Sequence, residues 1–283
     1  MNETPQPRRL TGQVFALDRV STSMYAMTLS LERPAAFLPG QFCMLNFQGG
    51  REMVLSRPFS ILHADGTQLT LLFKVVGAGT RLMAACAPGA PVACLAPLGR
   101  PFPPPADGRP QLLLAGGVGL PPLLAWRRRW GGDADLNLFG GRDGGDVPWG
   151  LLADGWHCSV DRRHGVPAGR GAFAGTVLAL AASVLETDAE HRRVLACGPP
   201  ALLRAAAELA RLRGWECLVS VEERMGCGYG VCRSCVVPRA DGDGYVTACK
   251  DGPVFDTAVV NLASSGRAAV ANGCGCAEGV DES

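Results

Sequence analysis

Between Gly226 and Cys235 the chain reads G-C-G-Y-G-V-C-R-S-C, and a further cysteine stands at position 249. Cys227, Cys232, Cys235 and Cys249 therefore form a C-x4-C-x2-C-x13-C pattern. Three thiols crowd into one short run, with Gly226, Gly228 and Gly230 among them. Glycine tolerates positive φ and lets the backbone come close, so amide N–H groups can turn inward toward sulfur. Such a segment wraps around something it holds.

Thiols in this order suit a [2Fe–2S] cluster, whose plant-type loop has C-x4-C-x2-C spacing followed by a remote fourth cysteine. Zinc remains the alternative, although zinc sites usually present two short C-x(2–4)-C hairpins rather than three ligands on one loop. Disulfides fit less well. Met1 to Leu10 is polar, with Pro5, Pro7, Arg8 and Arg9, and does not read as a signal peptide. A cytoplasmic chain keeps its thiols reduced. The fourth cysteine lies nearer than in most plant-type loops, which implies a short hairpin turning at Asp241-Gly242-Asp243-Gly244.

A length of 283 residues suggests about two domains. The formal net charge of +1 gives no reason to expect a nucleic-acid or anionic-membrane partner. No apolar run reaches the length of a transmembrane helix.

The first hundred residues read as β structure. Short segments at Gly12–Leu17, Met24–Leu31, Gln41–Phe47, Leu69–Val76 and Pro91–Ala96 are separated by proline and glycine turns. That spacing indicates a small antiparallel barrel. From Gln111 the pattern changes to apolar strands ending in glycine turns, at 111–116, 136–139 and 194–197, with helical stretches such as Pro200–Arg213 between or after them. Strand–helix alternation predicts a parallel, doubly wound α/β sheet. Leu218–Glu222 reads as a last strand before the cysteines. The expected organisation is α+β and multidomain, with a barrel at 8–104, an α/β domain at 110–217 and a cysteine segment at 218–262. Residues 263–283, which contain Cys274 and Cys276, read as a disordered tail.

Two phosphate-binding elements stand in the barrel. R-P-F-S (Arg57, Pro58, Phe59, Ser60) offers a guanidinium for a pyrophosphate and a hydroxyl for a flavin edge. By itself the motif is equally a strand-end ion pair. F-K-V-V-G-A-G-T follows, with Gly77, Gly79 and Thr80 at a helix start, where backbone N–H groups favour phosphate. In the second half, G-G-V-G-L-P-P contains Gly116, Gly117 and Gly119, and C-G-P-P contains Cys197, Gly198 and Pro199. Gly117 and Gly119 suit close passage of a dinucleotide pyrophosphate. Cys43, Cys86, Cys94, Cys158 and Cys217 read as small buried hydrophobes. Glu222 and Glu223 read as surface charges, and no catalytic side chain is assigned.

These paired motifs resemble the ferredoxin-reductase superfamily, with a flavin barrel and a nicotinamide domain. V-S-V-E-E-R-M-G-C-G-Y-G-V-C-R-S-C, with A-C-K-D-G-P-V-F-D after it, resembles the electron-transfer subunits of type 1B dihydroorotate dehydrogenases, over about residues 8–262. The resemblance implies an oxidoreductase subunit of pyrimidine biosynthesis. It would pass electrons from the FMN of a separate catalytic subunit through [2Fe–2S] and FAD to NAD+, within a heterotetramer. It carries Cys227, Cys232, Cys235 and Cys249 over as cluster ligands. Arg57 to Ser60, Gly79 and Thr80 carry over as FAD contacts, and Leu72, Phe73 and Lys74 join them from the preceding strand. Gly116, Gly117, Gly119, Cys197, Gly198 and Pro199 carry over to NAD. The same domain order serves NAD(P)H-linked reductase subunits of other complexes, and that alternative stays open. Ala96, where a glycine commonly precedes P-L-G, and the Cys274/Cys276 tail depart from the pattern. The choice between NAD and NADP is also open, since Arg142 in G-G-R-D can face a 2′-phosphate while Asp143 opposes it.

Overall fold

The computed structural model describes residues 5–47, 55–152 and 155–263. The tail expectation, with Cys274 and Cys276, lies outside the described residues. Alternation builds the first half. β1 spans Arg8–Arg19, and β2 (Met24–Leu31) buries Met24, Met27, Leu29 and Leu31 with half-exposed side chains between them. Successive strand side chains point to opposite faces, so one face fills a core. β3 (Phe42–Phe47), β4 (Arg57–Asp65), β5 (Gln68–Lys74) and β6 (Pro91–Leu98) complete an antiparallel barrel in the order β1-β2-β5-β4-β3-β6, closed by β6 on β1. Leu45, Ile61, Leu71 and Phe73 fill it, and Met83 from the short helix α1 (Ala78–Ala84) joins them.

The second half is a seven-stranded sheet. It contains β7 (Gln111–Gly116), β8 (Leu136–Asp143), β9 (Trp156–Arg162), β10 (Phe173–Ala174), β11 (Arg193–Cys197) and β12 (Cys217–Ser220), all parallel. Beyond a small hairpin of β13 (Val236–Pro238) and β14 (Tyr245–Thr247), β15 (Val254–Asp256) pairs antiparallel with β12. The sheet order is β10-β9-β8-β7-β11-β12-β15. Leu112, Leu114, Val194 and Ala196 face α3 (Val177–Leu185) and α4 (Pro200–Arg213). Leu113, Ala115, Leu195 and Cys197 face α2 (Leu120–Trp130) and the barrel. Burial on both faces is why these strands read as continuous apolar runs. α4 begins with Pro200, ends at Gly214 with φ +67, and buries Leu202, Leu203, Ala206 and Ala210 along one stripe. Among the described residues no helix is long and apolar enough to cross a membrane.

The cysteine segment is built into both halves. Phe42, Met44 and Leu98 of the barrel share one buried core with Cys235, Val237, Ala248 and Cys249. Gly228, at φ +83, lies so close that a Cβ there would come within 2.9 Å of Met44 Sδ. Val221 N donates to the Pro253 carbonyl at 2.9 Å, continuing the pairing of β12 with β15.

Four strands escaped the sequence reading, one of them the two-residue β10. β4 borders a cleft, and it buries only Ile61 and Leu62 beside half-buried Pro58, Phe59 and Ser60 and exposed Arg57 and His63, so it shows no clean alternation. β9 places Ser159, fully buried, in a parallel sheet position. β15 has only three residues and no periodicity to find. Cys86, expected in a core, is only half-buried, while Cys43, Cys94, Cys158 and Cys217 are buried.

Trp126 ties the two halves together. It is fully buried, and its indole Nε1 donates to the Pro103 carbonyl at 2.9 Å, in the connection between barrel and sheet. Trp126→Ala should cost about 3–5 kcal/mol of unfolding free energy, read from urea denaturation. A loss below about 1 kcal/mol would show that this contact is dispensable.

Candidate functional site

A cleft of about 320 Å³ opens between the barrel and the ends of β11 and β12. Pro58, Phe59, Ser60, Leu72, Phe73, Lys74 and Thr80 line it from the barrel side, opposite Cys197. Arg57 is exposed beside this wall without lining it, and among the described residues it has no carboxylate partner. The strand-end ion pair, open in the sequence, is therefore absent from the described residues. Gly79 is also outside the lining. Thr80 Oγ1 is committed locally, accepting from Val76 N at 2.8 Å and Gly77 N at 3.1 Å. It fastens the turn leading from β5 into α1.

Cys197 is only 2% exposed, and burial raises its thiol well above the usual range, with the Glu222 charge adding to the effect. It is a neutral thiol at the cleft floor. Glu222 and Glu223, read from the sequence as surface charges, both line the cleft. Solvent enters and reaches Glu222, yet the surrounding protein desolvates its carboxyl and raises its pKa. The sequence signal for Glu222 was weak, a polar pair directly before the cysteines.

A second cavity of about 500 Å³ follows the ends of β7, β8 and β9. Gly116, Gly117 and Pro199 line it, while Gly119 and Gly198 do not. The glycines divide into two roles. A Cβ on Gly119 would fall within 2.6 Å of Gly198 N, and one on Gly198, at φ +154, within 3.1 Å of the Gly116 backbone. Those residues are glycine because two turns pack backbone against backbone. Gly117, at φ +53, has no atom near its missing Cβ and borders the open groove. Close approach of a ligand is thus a reason for Gly117 and not for Gly119. Arg142 also lines the groove, and its guanidinium pairs with Asp146 at 3.5 Å rather than with Asp143.

The four sequence-predicted ligands fall into two pairs. Cys227 and Cys232 interact through their thiols, as do Cys235 and Cys249. Backbone amides point at the outer pair: Tyr229 N reaches Cys227 Sγ at 3.5 Å and Cys232 N reaches it at 3.4 Å. Desolvation opposes ionisation of Cys227, but these amides and that of Val231 outweigh it and lower the thiol. The Ser234 hydroxyl, 3.2 Å from Cys232 Sγ, leads the groups that bring Cys232 down to about 6. Burial, and then Cys235, push Cys249 up to about 12. Among the described residues no three His, Cys, Asp or Glu side chains converge as a single metal ion requires. Four thiols in two pairs are the donor set for a centre with two metal atoms, each taking two sulfurs.

Residues 222–261 match the iron–sulfur cluster binding domain of dihydroorotate dehydrogenase B. The chain is 34% identical over 236 residues to the dihydroorotate dehydrogenase B (NAD(+)) electron transfer subunit of Shouchella clausii, covering 79% of this chain and 86% of that one. It is 36% identical over 238 residues to the subunit of the same name from Geobacillus kaustophilus, covering 79% and 87%. Among solved structures, an NADH-dependent reduced ferredoxin-NADP oxidoreductase superposes with a TM-score of 0.71 at 20% identity, over 93% of this chain and 92% of the other. That likeness fixes the fold. Identity of about a third, sustained over most of both chains, means that this chain belongs to the electron transfer subunits of dihydroorotate dehydrogenase B.

Proposed function

We propose that this chain carries electrons from a dihydroorotate-oxidising partner to NAD+, with FAD in the cleft, NAD in the groove and a [2Fe–2S] cluster on Cys227, Cys232, Cys235 and Cys249. One observation carries the reading. Met225 and Pro253 of the cysteine segment line the same cleft as Phe59, Ser60 and Cys197. Three separately recognisable motifs therefore meet around one space. On this reading residues 8–104 hold FAD, 110–217 hold NAD and 218–262 hold the cluster.

The residues suit these occupants. Phe42, Phe59 and Leu72 give the cleft flat apolar walls for an isoalloxazine ring, and Ser60 adds a hydroxyl at its edge. Arg57, without a protein carboxylate among the described residues, is free to pair with a pyrophosphate at the rim. When bound, FAD exchanges hydride with a nicotinamide and single electrons with a cluster, which is why it must act between them. The paired thiols, with amides aimed at Cys227, hold and tune a two-iron centre. The partner is an FMN-containing catalytic subunit in a cytoplasmic heterotetramer. The loop Met225–Cys235 would face it, because Tyr229 and Val231 are 54% and 72% exposed there.

Reconstitution tests the whole reading. Alone, the chain should oxidise NADH with artificial acceptors and leave dihydroorotate untouched. Mixed with a type 1B catalytic subunit, it should reduce NAD+ at the expense of dihydroorotate. Stable assembly only with some other oxidoreductase would overturn the assignment.

Cys232 is exposed and Cys235 is buried in the core shared with the barrel. Cys232→Ser should therefore remove iron while FAD stays bound and NADH-reducible. Cys235→Ser should remove iron and lower the unfolding midpoint as well. Iron analysis with flavin absorbance separates the two, and full iron content in Cys232→Ser would end the ligand assignment.

Arg57→Ala should weaken FAD binding by about 1.5–3 kcal/mol, the range for hydrogen bonds to charged groups. Titration of the apoprotein with FAD measures this, and an unchanged affinity would remove Arg57 from the site.

A further inference from the structure

One carboxylate from the sheet half is planted in the barrel where the cleft and the groove meet. β8 ends at Asp143, and the turn after it folds back, with Asp146 N donating to both the Asp143 carbonyl and Oδ1 at 3.1 Å. That turn leans on the connection between β1 and β2. Thr22 N donates to the Gly145 carbonyl at 2.8 Å, and Ser23 Oγ donates to Asp146 Oδ1 at 2.5 Å. A Cβ on Gly145 would stand 2.8 Å from Thr22 Cγ2, so the approach is tight. From the end of β5, Lys74 Nζ donates to both Asp146 oxygens at 3.3 Å. Arg142 pairs with the same carboxylate from its own side. The Asp146 side chain is 12% exposed. Burial disfavours its charge, but Ser23, Lys74 and Arg142 outweigh that and hold its pKa low.

Lys74 lines both cavities, and Asp146 and Arg142 line the groove. The latch therefore sits at the junction that a dinucleotide must cross to bring its nicotinamide to the flavin. We propose that Asp146 is a positioning residue for hydride transfer, clamping the β8–β9 turn to the barrel and so fixing the spacing between dinucleotide groove and flavin cleft. This rests on the reading of the two cavities given above. Asp146 also neutralises part of the charge of Lys74 and Arg142. Without it, two cations are released to the dinucleotide phosphates, and ground-state binding stays the same or tightens while alignment loosens. Binding without alignment lowers the rate of the chemical step and not the affinity.

The test uses the full chain loaded with FAD. Asp146→Ala should retain FAD and lower the rate constant for flavin reduction at saturating NADH by about tenfold. Its affinity for ADP-ribose, read by calorimetry, should be unchanged or tighter. Asp146→Asn keeps a partner for Ser23 and loses the charge, so it should fall between wild type and Asp146→Ala. A saturating rate within about twofold of wild type, or a defect in affinity alone, would overturn the proposal. Should Asp146→Ala fail to accumulate as folded protein, Ser23→Ala decides. It removes one hydrogen bond and should slow the saturating step by about twofold to fivefold, and an unchanged rate would refute the latch. Failure of wild-type protein to bind ADP-ribose would instead sink the reading of the groove.

Discussion

Phe42, Met44 and Leu98 face away from the barrel interior, and on that apolar surface the cysteine segment depends. The segment has little hydrophobic substance of its own: a three-residue hairpin pair and a few buried side chains. A run that small cannot offset the entropy of ordering its backbone without a neighbouring core. Docking on the barrel supplies one, and β15 adds main-chain hydrogen bonds at the sheet edge. The thiol pairs are thus positioned by packing as well as by loop geometry. This also brings Met225 and Pro253 into the lining of the cleft, so the same contact that folds the segment seats it at the cleft edge.

Charge is distributed along this architecture by depth. The outer thiols, Cys227 and Cys232, are lowered by amides and a hydroxyl. Cys249, in the shared core, is raised. Cys197, on the cleft floor, is held toward its neutral form by burial, and the exposed Glu222 carboxyl at the cleft is shifted the same way by desolvation. Desolvation is strongest at the buried Cys197 end of the cleft, where a polar group acts with more force than it would at the surface.

Much of this was legible in the chain. β2 and α4 have the bounds that alternation and helical spacing gave, Met24–Leu31 and Pro200–Arg213, because each buries a regular apolar set. The cysteine spacing and the two glycine turns were visible because each needs particular residues at fixed offsets. What stayed hidden was relational. Gly117 and Gly119 look alike in sequence, and only the turn at Cys197–Gly198 distinguishes a packing glycine from one that borders the open groove. Lys74 read as a flavin contact, and its pairing with Asp146, far along the chain, has no local signature. Glu222 read as surface charge and is indeed exposed, but its place at the edge of the cleft has no local signature.

The outer strands of the seven-stranded sheet are stubs, with two residues in β10 and three in β15, and the barrel is closed. An unpaired ladder is a template for the strand of another molecule, and its reach grows with its length. Here the edges offer little to copy, so neighbouring chains find few places to add strands and aggregate. Association is left to side-chain surfaces, where shape and charge can select one partner over another.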